Sequence, residues 1–152
     1  MVEIDVTNES IIDAPPIEVY NAILDEYAGV THWWMPHLEI KLRGEKPTNW
    51  EGAVCDLIAR QSGLKAKFSI KVAKIVEAKM IELDYSGDFI GTGKWTFEPV
   101  EGKTKAQYRF NARTNKLIFS IIAPFLKNPA KPHIDTMEKG FKALNSYLSN
   151  KK

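Results

Sequence analysis

The sequence predicts an α+β domain: a curved antiparallel sheet of about seven strands wrapped around a long C-terminal helix, with two short helices after the first strand. Three observations carry this. Ile134, Met137, Phe141, Leu144 and Leu148 recur three and four apart, which makes one apolar stripe along a helix. The middle of the chain alternates apolar and polar residues, the period of a strand with one buried face. The alternating stretches are separated by hairpin-length turns rather than helical crossovers, which makes the sheet antiparallel.

In chain order, Val2, Ile4 and Val6 alternate with Glu3, Asp5 and Thr7 in a first strand running to Ile12. Asp13-Ala14-Pro15-Pro16 follows, where Asp13 is a candidate cap and the prolines suit a first helical turn. Ile17, Tyr20, Ile23, Leu24 and Tyr27 form a helical stripe ended by Gly29. Thr31-His32-Trp33-Trp34-Met35 reads as a second short helix or turn that stops before Pro36.

Strands then dominate. Leu38 to Leu42 alternates, and Gly44 to Gly52 is a polar loop. Ala53 to Arg60, Lys65 to Val76 and Met80 to Tyr85 follow, with turns at Ser62-Gly63 and Ser86-Gly87-Asp88. Phe89 to Glu98 contains Gly91 and Gly93, which suggest a bend or bulge. Glu101-Gly102-Lys103 turns into a last strand, Thr104 to Ala112. Leu117 to Leu126 reads as helix with a break at Pro124, and Asn128 to Pro132 as a hinge before the terminal helix.

The whole chain, 1–152, is expected to be a single domain. Hydrophobic residues make up 44% and charged residues 26%, the composition of an ordinary soluble protein. A net charge of +2, with scattered basic residues, gives no reason to expect nucleic acid. A single cysteine, Cys55, rules out an internal disulfide, and no apolar run follows an N-terminal basic stretch. The longest apolar run falls far short of the roughly 20 residues that span a bilayer. A cytoplasmic location is the expectation.

Four segments resemble the START/polyketide cyclase-dehydrase superfamily, also called SRPBCC or helix-grip. Ile12 to Tyr20 resembles its strand-to-helix junction, with a proline before a Glu-Val-aromatic step. Trp33-Trp34-Met35-Pro36 is similar to its tryptophan-and-proline turn, and Gly93 to Pro99 to its aromatic strand and turn. The terminal amphipathic helix is the fourth. The resemblance implies a cavity between that helix and the sheet, and a family that binds lipids, sterols, polyketides, quinones and other apolar compounds. It carries over no catalytic set.

The residues themselves exclude several chemistries. No nucleophile elbow and no Gly-rich phosphate loop occurs, and Cys55 sits mid-strand as a buried structural cysteine would. His32, His37 and His133 lack metal-ligand spacing, so neither metal nor cofactor is expected. Asp56 and Arg60 share one strand face and Cys55, Leu57 and Ala59 the other; the charged face is read as outward, like that of Arg109 and Arg113. His37 is read as a surface residue.

The aromatic residues point to a pocket wall that orients an amphipathic ligand. Trp33, Trp34, Tyr85, Trp95, Phe97, Tyr108, Phe119, Met137 and Phe141 are the candidate ligand-binding residues. The expected partner is a hydrophobic small molecule. The apolar stretch at 117–126 is a candidate lid or a transient membrane contact, and the assembly expected is a monomer or homodimer. Two other functions remain open. One is a cyclase, dehydratase or hydrolase with Tyr85, Tyr108, His37 or Asp56 as acid or base; the other is a co-chaperone-like interaction module with a filled core.

Overall fold

A computed structural model describes residues 2–61, 64–114, 128 and 130–151. The expected Ser62-Gly63 turn, the 117–126 helix and Phe119 lie outside the described residues. The chain runs β1 (Val2–Ile12), α1 (Pro16–Tyr27), β2 (Leu38–Leu42), β3 (Val54–Gln61), β4 (Leu64–Val76), β5 (Met80–Gly87), β6 (Ile90–Val100), β7 (Lys103–Thr114) and α2 (Lys131–Asn150).

The seven strands form one sheet in the order β1-β7-β6-β5-β4-β3-β2, with every neighbouring pair antiparallel. Only β1 leaves chain order: α1 and the following turn carry the chain from one sheet edge to the other. α2 touches both β1 and β3, which stand five places apart in the sheet. Five steps of about 4.8 Å would separate those strands by roughly 24 Å in a flat sheet, twice the width of a helix. The sheet therefore curls around α2, the helix-grip arrangement expected from the sequence.

Four local features differ from expectation. α1 begins at Pro16 with Pro15 as its N-cap and no side-chain cap bond. The backbone N–H of Asp13 instead donates to Asn145 Oδ1 on α2 at 3.0 Å, tying the link between β1 and α1 to α2. Residues 33–37 form a turn, not a second helix. The Glu26 carboxylate accepts the backbone N–H groups of Trp33 and Trp34 at 3.0 and 2.9 Å, and Pro36 has none to contribute to a helix. Register runs without a shift through Gly91 and Gly93; among the described residues the register shifts between Val72 and Lys74, where β4 pairs with β5. Finally, α2 starts at Lys131, three residues before its apolar stripe, because Pro132 fits the first turn, where its missing N–H costs nothing.

The hairpin from β6 to β7 shows how tightly the turns specify register. Val100 pairs with Lys103, so the loop is Glu101-Gly102, and both adopt positive φ, 50° and 81°. Two-residue loops of that type match the right-handed twist of the strands.

Candidate functional site

The inner face of the sheet is apolar because alternate residues of each strand point toward α2. Between them lies a cavity of about 90 Å³. Its floor is Leu57, Ala59, Ala66, Phe68 and Ile70 from β3 and β4. Tyr85, Trp95, Tyr108 and Phe110 form one side, and Pro132, His133, Thr136 and Met137 of α2 the roof. Tyr27 at the end of α1 and Trp34 from the turn close the remaining edge.

The aromatic members are held by specific bonds. Trp34 Nε1 donates to the carbonyl of Thr136 at 3.1 Å, which fastens the turn to α2. The buried Glu26 carboxylate holds the same turn through its two amides and through the Thr31 hydroxyl at 2.8 Å. Trp95 Nε1 donates to the Tyr27 hydroxyl at 2.8 Å. The Tyr85 and Tyr108 hydroxyls bond to one another. Gly93 makes room for that pair: a Cβ there would collide with the Tyr108 phenol and lie 2.8 Å from Tyr85 Cε2.

Of the candidate residues, the structure brings Trp34, Tyr85, Trp95, Tyr108 and Met137 to the cavity wall. Trp33, Phe97 and Phe141 stand off it, for separate reasons. Trp33 stacks on Trp34 at 5.3 Å and aims its Nε1 at the Ala22 carbonyl, so it backs the wall. Phe97 lies two residues farther along β6, under α1, with its ring edge-on to Tyr20 at 6.0 Å. Phe141 packs edge-on against Trp95 at 5.9 Å within the solid part of the core.

The charged strand face is outward. Arg43 clasps Asp56 with Nε and Nη2 at 2.8 and 2.6 Å, and Arg60 reaches Glu39 at 3.2 Å. The Arg43 bonds, helped by the Ser69 hydroxyl, hold the Asp56 carboxyl down to about 2. Arg109 pairs with Asp5 on the same outer surface. Cys55 is fully buried, its Sγ 3.5 Å from the Tyr27 carbonyl, and burial pushes its thiol up to about 12. His37 is not on the cavity wall. Among the described residues no cluster of His, Cys, Asp or Glu could hold a metal ion, and no helix is long and apolar enough to cross a membrane.

Sequence reasoning passed over several wall residues, Tyr27, Phe68 and Thr136 among them, and the one with the most distinctive chemistry is His133. Its ring stacks on Phe110 with centroids 4.1 Å apart and planes 16° from parallel. It lies at i−4 from Met137, so carrying the stripe one turn back from Met137 would have placed it inward. Its Nε2 is buried with no hydrogen-bond partner among the described residues. Burial drives its pKa down to about 3, and burial raises the phenols of Tyr27, Tyr85 and Tyr108 above their ordinary value. Every titratable group on the described wall is thus neutral at neutral pH.

This has a measurable consequence for stability. His133 is protonated below about 6.5 in the unfolded chain but only below about 3 when folded. The unfolded state binds more protons between those values, so stability rises with pH across that window and is flat, for this group, above it. The slope is about 1.4 kcal/mol per pH unit for one proton. Urea unfolding of wild type and His133→Phe between about pH 4.5 and 6 should differ by that slope, the variant being the flatter. Equal slopes would mean that His133 titrates normally in the fold.

A sequence model for polyketide cyclase / dehydrase and lipid transport proteins matches residues 3–148. No curated protein gives a significant sequence match. Among solved structures, a START superfamily protein from Mycobacterium smegmatis is 16% identical, with 99% of this chain and 100% of that one covered at a TM-score of 0.73. The Zhui aromatase/cyclase from Streptomyces sp. R1128 is 13% identical, covering 97% and 94% at 0.67. Ara h 8.0201 is 19% identical, covering 98% and 99% at 0.68. At these identities the structural likeness establishes the fold alone.

Proposed function

The chain belongs to the polyketide cyclase / dehydrase and lipid transport family, and from that premise we propose that it binds an apolar or amphipathic small molecule in the cavity between α2 and the sheet. The observation that carries this reading is the wall itself: aromatic and aliphatic from all sides, with its few polar groups uncharged. Burying apolar ligand surface there is favourable by about 25 cal/mol per Å². Binding is favoured over turnover because the groups available for proton transfer are displaced away from neutrality. A general acid or base works best with a pKa near the working pH, whereas burial pushes Tyr85 and Tyr108 well above their ordinary value and His133 down to about 3. Asp56 and His37, the other two candidates, are not on the described wall. The open cavity also weighs against an interaction module with a filled core.

Native mass spectra before and after organic extraction test the reading. An adduct of defined mass that extraction removes, and whose loss lets a fluorescent apolar probe enter, is the expected result. A spectrum free of adduct from the start, with no probe uptake after extraction, would overturn it.

A further inference from the structure

The cavity also carries information about the polar part of its ligand. His133 is the feature that needs explaining. It is clamped flat on Phe110, faces the space between α2 and the sheet, and buries an Nε2 that nothing among the described residues satisfies. A buried nitrogen without a partner is costly, and such atoms are few in folded proteins. The other buried side-chain atom in that condition among the described residues, Asn8 Oδ1, does not belong to the wall. Next to His133, with ring centroids 6.1 Å apart, is Tyr108, whose hydroxyl is bonded to that of Tyr85. In such a pair one phenol donates to the other, and the second hydrogen stays available to an outside oxygen.

No Lys, Arg, Asp or Glu lies on the described wall. An ionised carboxylate or phosphate inside it would meet no counter-charge on the described wall, an expensive state. From these placements we infer that the ligand is an uncharged ring compound bearing a hydroxyl, seated so that the hydroxyl bonds His133 Nε2 while its ring packs against the aromatic wall. A hydroxyl suits the site in either imidazole tautomer, because it donates to a bare nitrogen and accepts from an N–H. The imidazole stays neutral far below physiological pH, so it offers no charge to attract an anion. Fatty acids and phospholipid headgroups are disfavoured on the same grounds. This inference rests on the cavity being a ligand site at all.

Three probes of one shape separate the two questions: naphthalene, 1-naphthol and 1-naphthoate, titrated calorimetrically into extracted protein at pH 7. The expected order places 1-naphthol about tenfold tighter than naphthalene, the effect of one well-placed hydrogen bond in a buried site, with 1-naphthoate weakest. His133→Phe, which keeps the stack on Phe110, should bind 1-naphthol no tighter than the same variant binds naphthalene. In wild type, the ¹⁵N resonance of His133 Nε2 should move with 1-naphthol and stay still with naphthalene, a readout that needs no variant to fold. Equal binding of 1-naphthol and naphthalene with an unmoved nitrogen resonance overturns the inference while the cavity reading stands. So does tightest binding by 1-naphthoate. Binding by none of the three overturns the inference and the cavity reading with it.

Discussion

Replacing Trp95 by alanine should destabilise the protein by about 4 kcal/mol, the range found for large aromatic truncations in packed cores. Trp95 is the largest of the fully buried side chains, with 1% of its surface exposed. Its indole meets Trp34, Phe97, Tyr108 and Phe141 at centroid distances between 4.7 and 6.4 Å, so truncation strips contacts from four other rings at once. It also removes the Nε1–H that Tyr27 accepts, leaving a buried hydroxyl with one bond fewer. The new hole opens onto the existing cavity, so its neighbours cannot collapse into it without deforming the wall. Trp95→Phe separates the two contributions: it retains a ring and loses the donor, and should cost about 1–2 kcal/mol. Urea midpoints with unchanged m-values are the measurement. A Trp95→Ala loss below 1 kcal/mol would mean that the indole is not packed as described.

Gly140→Leu should cost about 3 kcal/mol or more and abolish ligand uptake. Gly140 lies on the inward stripe of α2, where a Cβ would fall inside the Trp34 indole, 2.6 Å from its Nε1 and closer still to two of its carbons. Glycine is a poor helix residue, and alanine there would gain about 1 kcal/mol from propensity alone. Overpacking costs about 1–3 kcal/mol for added methylenes, so the steric term exceeds the propensity gain already at alanine and dominates at leucine. The indole is trapped between α2 and the wall, with Nε1 bonded to Thr136. It can yield only by breaking that bond or moving into the cavity, and either ends binding. Lys142→Leu, on the exposed face of the same helix, is the control and should stay within about 0.5 kcal/mol of wild type. If Gly140→Leu retained stability and adduct alike, α2 would have to sit farther from the turn.

Seven strands, their antiparallel order and the two helices were legible because periods of 2.0 and 3.6 are printed directly in the residues. The outward face of Asp56 and Arg60 was legible for a related reason: alternation allows only one face of β3 to be core, and Cys55, Leu57 and Ala59 claim it. Periodicity stops short of depth. Trp95 and Phe97 share a face of β6, and Met137 and Phe141 share a stripe of α2, yet in each pair only the first reaches the cavity. Which of two equivalent positions faces open space depends on where α1 and α2 cross the curled sheet, and no local pattern encodes a crossing point. The turn at residues 33–37 depended on a buried carboxylate on α1, and the early start of α2 on a proline that pattern reading treats as a boundary. With that start went His133. The sequence by itself determined the architecture and the side of the sheet on which the interior lies, since both follow from short-range periodicity. Tertiary packing alone decided which rings bound the cavity and which nitrogen was left unpaired, since those outcomes depend on contacts between elements far apart in the chain, such as Trp34 and Thr136, 102 residues apart.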